Sequence, residues 1–308
     1  MIAGEIPNWI WKIGNGSLHY LDLSCNMLVG LQKSHRIPTS LRYLDLHSNQ
    51  LPGEFPYLEG LGLSNNLSLS GSHSFPVNQY SSLEFLDFSD DMIAGEIPNW
   101  IWEIGNWSLN YLNLSYNMLV DVQKPYHIPT SPQYLDLHSN QLRGEFPSLL
   151  LLKPFTKVDF PNNHFDQFGI VEIGNDSALF GNSEFSLRNN SLSGSIPTFF
   201  CTAATFLVFD LSFNYLSGSI PHCLTENTSA LYLGRNNIGG WIPDKISPSC
   251  QLKSLDLSDN NLVGDVPHSV GNCIALTVLD LSNNKLSGTV PTSLCKASDL
   301  RILDLSVN

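Results

Sequence analysis

The chain has 308 residues, a net charge of -13 and an isoelectric point near 4.9. That acidity argues against nucleic acid or an anionic membrane surface as a partner. No run of about 18 apolar residues occurs, so no bilayer-spanning segment is expected. The first residues, MIAGEIPNWIW, lack a basic n-region and do not read as a signal peptide.

In chain order, residues 1 to 11 read as the back half of a repeating unit. Short strands are expected at Leu21–Leu23, Leu44–Leu46, Leu61–Leu63, Leu86–Phe88, Leu112–Leu114 and Leu135–Leu137. In each, alternation turns both apolar residues inward and the residue between them outward. The full unit, clearest from Leu252 to Leu294, is L-x-x-L-x-L-x-x-N-x-L-x-G-x-I/V-P. Its anchoring position recurs at Asn26, Asn49, Asn66, Asp91, Asn117, Asn140, Asn163, Asn190, Asn214, Asn236, Asn260, Asn284 and Asn308. The steps run from 17 to 27 residues and settle near 24, which is the spacing of a leucine-rich repeat. Residues 1–56 match residues 92–147 at 43 of 56 positions, an internal duplication offset by 91 residues.

The expected fold class is therefore a mostly β, α/β-type solenoid: a right-handed leucine-rich-repeat superhelix. A parallel β-sheet would line its concave face, with loops and 3-10 turns on its convex face. It is expected as a single domain over 1–308, with about thirteen repeats, uncapped at both ends. Residues 164–184 break the rhythm and are expected to form a longer, irregular connection. From Phe185 the repeats are regular again through Leu305.

Seven N-x-S/T sequons make Asn15, Asn66, Asn106, Asn113, Asn175, Asn189 and Asn227 candidate glycosylation sites, their density favouring a secreted surface. Six cysteines agree with an oxidising compartment. Cys250 and Cys273 fall 14 and 13 residues after their repeat asparagines, so adjacent coils bring them near superposition. Cys201 with Cys223 is the next pair, and Cys273 with Cys295 competes. Cys25 has Tyr116 as its duplicate counterpart, so the fold does not require it. No C-x-x-C or His–Cys cluster is visible, and no metal site or cofactor is expected. Without a G-x-S-x-G, H-E-x-x-H or P-loop motif, an enzyme is not expected either.

Two outward columns could meet a ligand. The first carries Tyr20, Tyr43, Phe85, Tyr111 and Tyr134, flanked by His47 and His138. Stacked at the strand spacing of about 4.8 Å, these would form an aromatic strip suited to interface anchoring, or pack flank to flank and stabilise the sheet. The second is acidic, with Asp22, Asp45, Asp87, Asp136, Asp159, Asp210, Asp256, Asp280 and Asp304. It could recruit a basic ligand or simply repeat the L-D-L-S consensus.

The sharpest motifs are Leu192-Ser-Gly-Ser-Ile-Pro197 and Leu216-Ser-Gly-Ser-Ile-Pro221, followed by IPHCL, IPDKISPSC and VPHSVGNC. They resemble the extracellular repeats of plant receptor-like proteins, particularly the Verticillium-wilt-resistance type. The resemblance implies a glycoprotein ectodomain at the extracellular face of the plasma membrane, acting in the defence response. It also implies protein binding: a peptide or protein ligand as partner, and signalling through receptor-kinase co-receptors. Two other readings remain. One is a secreted leucine-rich-repeat inhibitor of cell-wall-degrading enzymes, and the other a truncated, non-functional gene product.

Overall fold

The computed structural model describes residues 1–32, 38, 40–54, 83–99, 101–102, 109–124, 133–148, 155–169, 183–202 and 206–308. It divides into two compact units, Met1–Arg143 and Gly144–Asn308, where the repeat pattern anticipates one domain.

In the first unit a parallel ladder runs through Tyr20–Asp22, Tyr43–Asp45, Phe85–Asp87, Tyr111–Asn113 and Tyr134–Asp136. In the second it runs through Lys157–Asp159, Ser183–Ser186, Phe206–Asp210, Thr228–Tyr232, Ser254–Asp256, Val278–Asp280 and Ile302–Asp304. The inward leucines disappear from solvent: Leu44, Leu46, Leu86, Leu112, Leu114, Leu135 and Leu137 are buried, as are Leu211, Leu233, Leu257 and Leu281. Phe146, Phe160, Phe165 and Phe185 replace leucines near the start of the second unit and pack edge to face or tilted.

Leu61–Leu63 lies outside the described residues, and the strands that should flank it, Tyr43–Asp45 and Phe85–Asp87, pair directly with each other. The step from Asn49 to Asn66 is the shortest in the chain, at 17 residues, and Asn49 instead meets Asp91 through a backbone hydrogen bond of 3.2 Å. A second difference concerns the opposite side of each coil. Short strands form there too, with Ala3–Ile6 beside Met27–Leu31, Pro52–Glu54 beside Met92–Ile97 beside Met118–Val122, and Ser193–Ser195 beside Tyr215–Ser217. They use the L-x-G stretch after each anchor, which reads as a turn in sequence because its strands are so short. In the expected irregular connection, His164–Phe168 is a strand and residues 170–182 lie outside the described part. The 3-10 turns follow the I/V-P prolines, at His268–Asn272 and Thr292–Lys296, where proline opens a helical turn without losing a needed donor.

The anchoring asparagines stitch the coils. Asn117 accepts the Ile93 N–H at 2.9 Å and donates to the carbonyls of Phe88, Leu114 and Ser115 at 2.8–3.1 Å. Asn260 and Asn284 repeat the set in the second unit. Asp91 occupies the same position but has no amide to donate. Its Oδ1 accepts from the Asn49 and Leu51 N–H groups, while its buried Oδ2 has no partner among the described residues. Burial pushes its carboxyl from 3.8 up to about 7, against the pull of those two backbone donors.

A carboxyl raised in this way stabilises the fold only while protonated. Its contribution is complete below the unfolded value of 3.8 and is lost as pH rises through about 7, a difference of at most ~4 kcal/mol. Urea unfolding should thus give a more stable chain at pH 5 than at pH 8. Asp91→Asn should remove most of that difference and raise stability at pH 8 by about 1–3 kcal/mol, because the amide can donate where the carboxylate cannot.

Candidate functional site

The strands present their outward residues on one face, and there the two expected columns take concrete form. Tyr20, Tyr43, Phe85, Tyr111 and Tyr134 stack successively, with ring centroids 4.1–4.3 Å apart and planes within 9–12° of parallel. Their faces are occupied by one another, so what the strip offers outward is ring edges and hydroxyls. The phenols of Tyr43 and Tyr134 donate to Oδ2 of Asp45 and Asp136, both at 3.1 Å. His47 and His138 sit beside this strip, each with Nδ1 donating to the same aspartate's Oδ1 at 2.6 Å.

The acidic column also has local work. Asp22, Asp87, Asp210, Asp256 and Asp280 each accept, through Oδ1, the backbone N–H and hydroxyl of the serine two residues on. These are local turns of the Asx kind. They explain the recurrence of L-D-L-S without a ligand.

The second unit departs from that monotony. Along its column Tyr232 replaces aspartate, and Gly234 stands where its neighbours have Ser212 and Ser258. A Cβ at Gly234 would lie 2.8 Å from Asp256 Oδ1 and 2.9 Å from Ser258 Oγ, so no larger residue fits without displacement. The missing side chain contributes to a pocket of about 370 Å³ lined by Arg188, Phe213, Gly234, Arg235, Asp256, Ser258, Asp259, Asp280, Ser282 and Asn283. Arg188 and Arg235 each place a guanidinium against the Phe213 ring, at 4.1 and 4.6 Å from its centroid. Arg188 also donates to Ser212 Oγ at 2.8 Å, and Arg235 pairs with Asp259 at 3.3 Å. Opposite them, Asp256 and Asp280 occupy adjacent rungs, and their Oδ2 atoms have no partner among the described residues. The pocket is thus cationic on one wall and anionic on the other. Neither arginine nor Gly234 stood out in the sequence. The signal available was the break in the D-x-S column at Tyr232-Leu-Gly234-Arg235.

The cysteines form disulfides between Cys201 and Cys223, with Cα atoms 5.3 Å apart, and between Cys250 and Cys273, at 4.8 Å. Cys25 and Cys295 are free and exposed. Sequence spacing showed no His–Cys cluster, yet adjacent coils bring Cys25 Sγ to 3.5 Å from His47 Nε2. Among the sequons, Asn15 and Asn189 are exposed, and Asn227 is half-buried at a helix end. Asn113 is half-buried, with its amide engaged by Asp87 and Ser115. Asn66, Asn106 and Asn175 lie outside the described residues.

Comparison with known proteins supports the repeat. Leucine-rich-repeat family models match residues 250–308 and, separately, 40–77, 131–151 and 183–203. Receptor-like protein 54 of Arabidopsis thaliana is 29% identical over 216 residues, covering 67% of this chain and 23% of that protein. This chain is a leucine-rich-repeat solenoid, similar in sequence to plant receptor-like proteins. Its fold is similar to the ectodomain of the Arabidopsis thaliana receptor kinase GASSHO1/SCHENGEN3 in complex with CASPARIAN STRIP INTEGRITY FACTOR 2 (TM-score 0.70, 26% identity, 99% of this chain and 34% of that one). It is also similar to the plant peptide hormone receptor RGFR1 in complex with RGF2 (TM-score 0.66, 26% identity, 99% and 49%). The chain spans less than a quarter of the length of Receptor-like protein 54. No helix among its described residues is long and apolar enough to cross a membrane.

The stacked phenols resist ionisation. Burial raises Tyr43, helped by Tyr20 and Asp45, and burial likewise raises Tyr111, helped by Asp87 and Tyr134. Groups raised in the fold contribute stability below their ordinary value of about 10 and lose it as pH climbs above that. The chain should therefore unfold in alkali, and Tyr111→Phe should move that transition to higher pH in a tyrosine absorbance titration.

Proposed function

We propose that the strand-bearing face of this receptor-like solenoid binds a peptide or protein ligand through the pocket between Arg188 and Asp280. The observation that carries the reading is the pocket's opposed charge around an immobilised aromatic ring. A peptide segment that carries both a cationic group and a carbonyl or carboxylate could meet both kinds of charge at once. The supporting comparison is that its fold neighbours are receptor ectodomains bound to peptides. A preformed array of short strands costs little ordering on binding, so pocket chemistry decides affinity.

In the wider reading this is an ectodomain segment at the extracellular face of the plasma membrane. It senses a ligand in defence, as in the Verticillium-wilt-resistance type, and passes the signal to partner receptor kinases without catalysis of its own. Nothing in the pocket favours the inhibitor of cell-wall-degrading enzymes, whose target would need a broad complementary surface rather than a cleft of about 370 Å³.

The test is selection of peptides from a randomised displayed library against the immobilised chain. Peptides enriched on the native chain should lose at least tenfold in affinity on Asp256→Asn with Asp280→Asn, and likewise on Arg188→Ala. If no peptide is enriched, or the enriched ones ignore these substitutions, the pocket is not the ligand site.

A further inference from the structure

Cys25 is one of the residues that the duplicated segment does not keep: its counterpart in the second copy is Tyr116. In both copies a histidine is held by an aspartate two residues earlier: His47 by Asp45 and His138 by Asp136, each at 2.6 Å. A carboxylate can only accept, so Nδ1 carries the proton, leaving Nε2 of His47 as the basic nitrogen. In the second copy the neighbouring coil offers Tyr116, which packs edge-on to the His138 ring with centroids 4.4 Å apart. In the first copy it offers a thiol, with Cys25 Sγ 3.5 Å from Nε2.

That approach is built into the backbone. Cys25 precedes an anchoring asparagine and has φ of +55°, as the equivalent residues of other coils do. Its N–H donates to the His47 carbonyl at 2.9 Å. The turn therefore fixes thiol and ring to one another. Thiol, imidazole and carboxylate stand in the order of a nucleophile, its base and the group that orients the base.

We propose that Cys25 is a site of thiol–disulfide exchange, activated by the His47–Asp45 pair. The Cys25 proton passes to His47 Nε2, and the thiolate attacks one sulfur of a small-molecule disulfide. The S–S bond of that molecule breaks as the bond to Cys25 Sγ forms, and the departing thiolate takes the proton from Nε2. No net oxidation occurs. The product is a mixed disulfide on the strand-bearing face, beside the stacked rings of Tyr20 and Tyr43.

The electrostatics around the ring are consistent with its accepting a proton. Burial opposes the imidazolium, but the hydrogen bond and charge of Asp45, then the charges of Asp87 and Asp22, raise His47 above its ordinary 6.5. Ligand atoms of Asp45, His47 and Asp87 also lie within 4.8 Å of one another, the spacing of a metal cluster. Those atoms are already engaged. Asp45 holds His47 and Tyr43, and Asp87 holds Ser89 and Asn113, so a metal would have to break bonds that the thiol reaction leaves intact.

The chain supplies its own reference in Cys295, a second free and exposed thiol. With glutathione disulfide as probe at pH 7, peptide mass spectrometry should show Cys25 modified at least tenfold faster than Cys295. His47→Gln should lower the Cys25 rate to that of Cys295. Should that variant misfold, Tyr116→Cys decides instead. It sets a thiol against the intact His138–Asp136 pair, and the introduced thiol should react at the Cys25 rate. Equal rates for Cys25 and Cys295, an unchanged rate in His47→Gln, or a slow introduced thiol would each overturn the proposal.

Discussion

An asparagine side chain, repeated in every described coil but the one anchored by Asp91, is the interaction on which the rest of this structure depends. After each short strand the chain turns sharply inward and leaves two or three carbonyls and an N–H facing the core, where water cannot reach them. Leaving such groups unpaired costs roughly 1–3 kcal/mol each. One amide resolves the problem, because it both accepts and donates. Asn117 takes the Ile93 N–H from the coil before and gives its own hydrogens to carbonyls of both coils. Leucine burial drives the coils together, but it is directionless. The asparagine sets the register, and with it the position of every outward side chain.

The same turn dictates a second regularity. The residue before the anchor takes a left-handed conformation, with φ between +51° and +58°, from Cys25 through Asp259 to Val307. None of these twelve is glycine, although glycine would adopt this shape most easily. In ten of them the N–H reaches the next coil's carbonyl, as Tyr116 does to His138 at 2.9 Å and Arg235 to Ser258 at 2.9 Å, and that bond holds the conformation. Because the backbone is fixed, the side chain there is free to vary. Cys25, Phe213, Arg235 and Asp259 all occupy it, and they include the reactive thiol and much of the charged pocket.

The periodicity of leucine and asparagine made the ladder legible in the sequence, since both have a physical task in every coil. The aromatic strip and the acidic column were also visible as positions, though not their engagement. Stacking of Tyr43 on Phe85 and the local turns of Asp87 depend on distances that spacing alone does not supply. The strand expected at Leu61–Leu63 lies outside the described residues. A local match to the repeat describes one stretch, whereas pairing is settled between stretches, and there Tyr43–Asp45 and Phe85–Asp87 pair directly with each other. The pocket near Arg235 was missed for an opposite reason. It is made by what is absent, a side chain at Gly234, and consensus reading attends to what recurs.

Duplication separates structure from function within this one chain. Residues that both copies keep, such as the Asp–His pairs and the stacked tyrosines, serve the coil wherever it is placed. The exchange of Cys25 for Tyr116 leaves the hydrogen bond from that position to the facing histidine's carbonyl unchanged at 2.9 Å. Packing therefore does not select the thiol. What differs is the group presented to an imidazole already oriented by a carboxylate: an aromatic ring in one copy and a nucleophile in the other. A fold that fixes its backbone through one amide per coil can change chemistry at the neighbouring residue without altering its architecture.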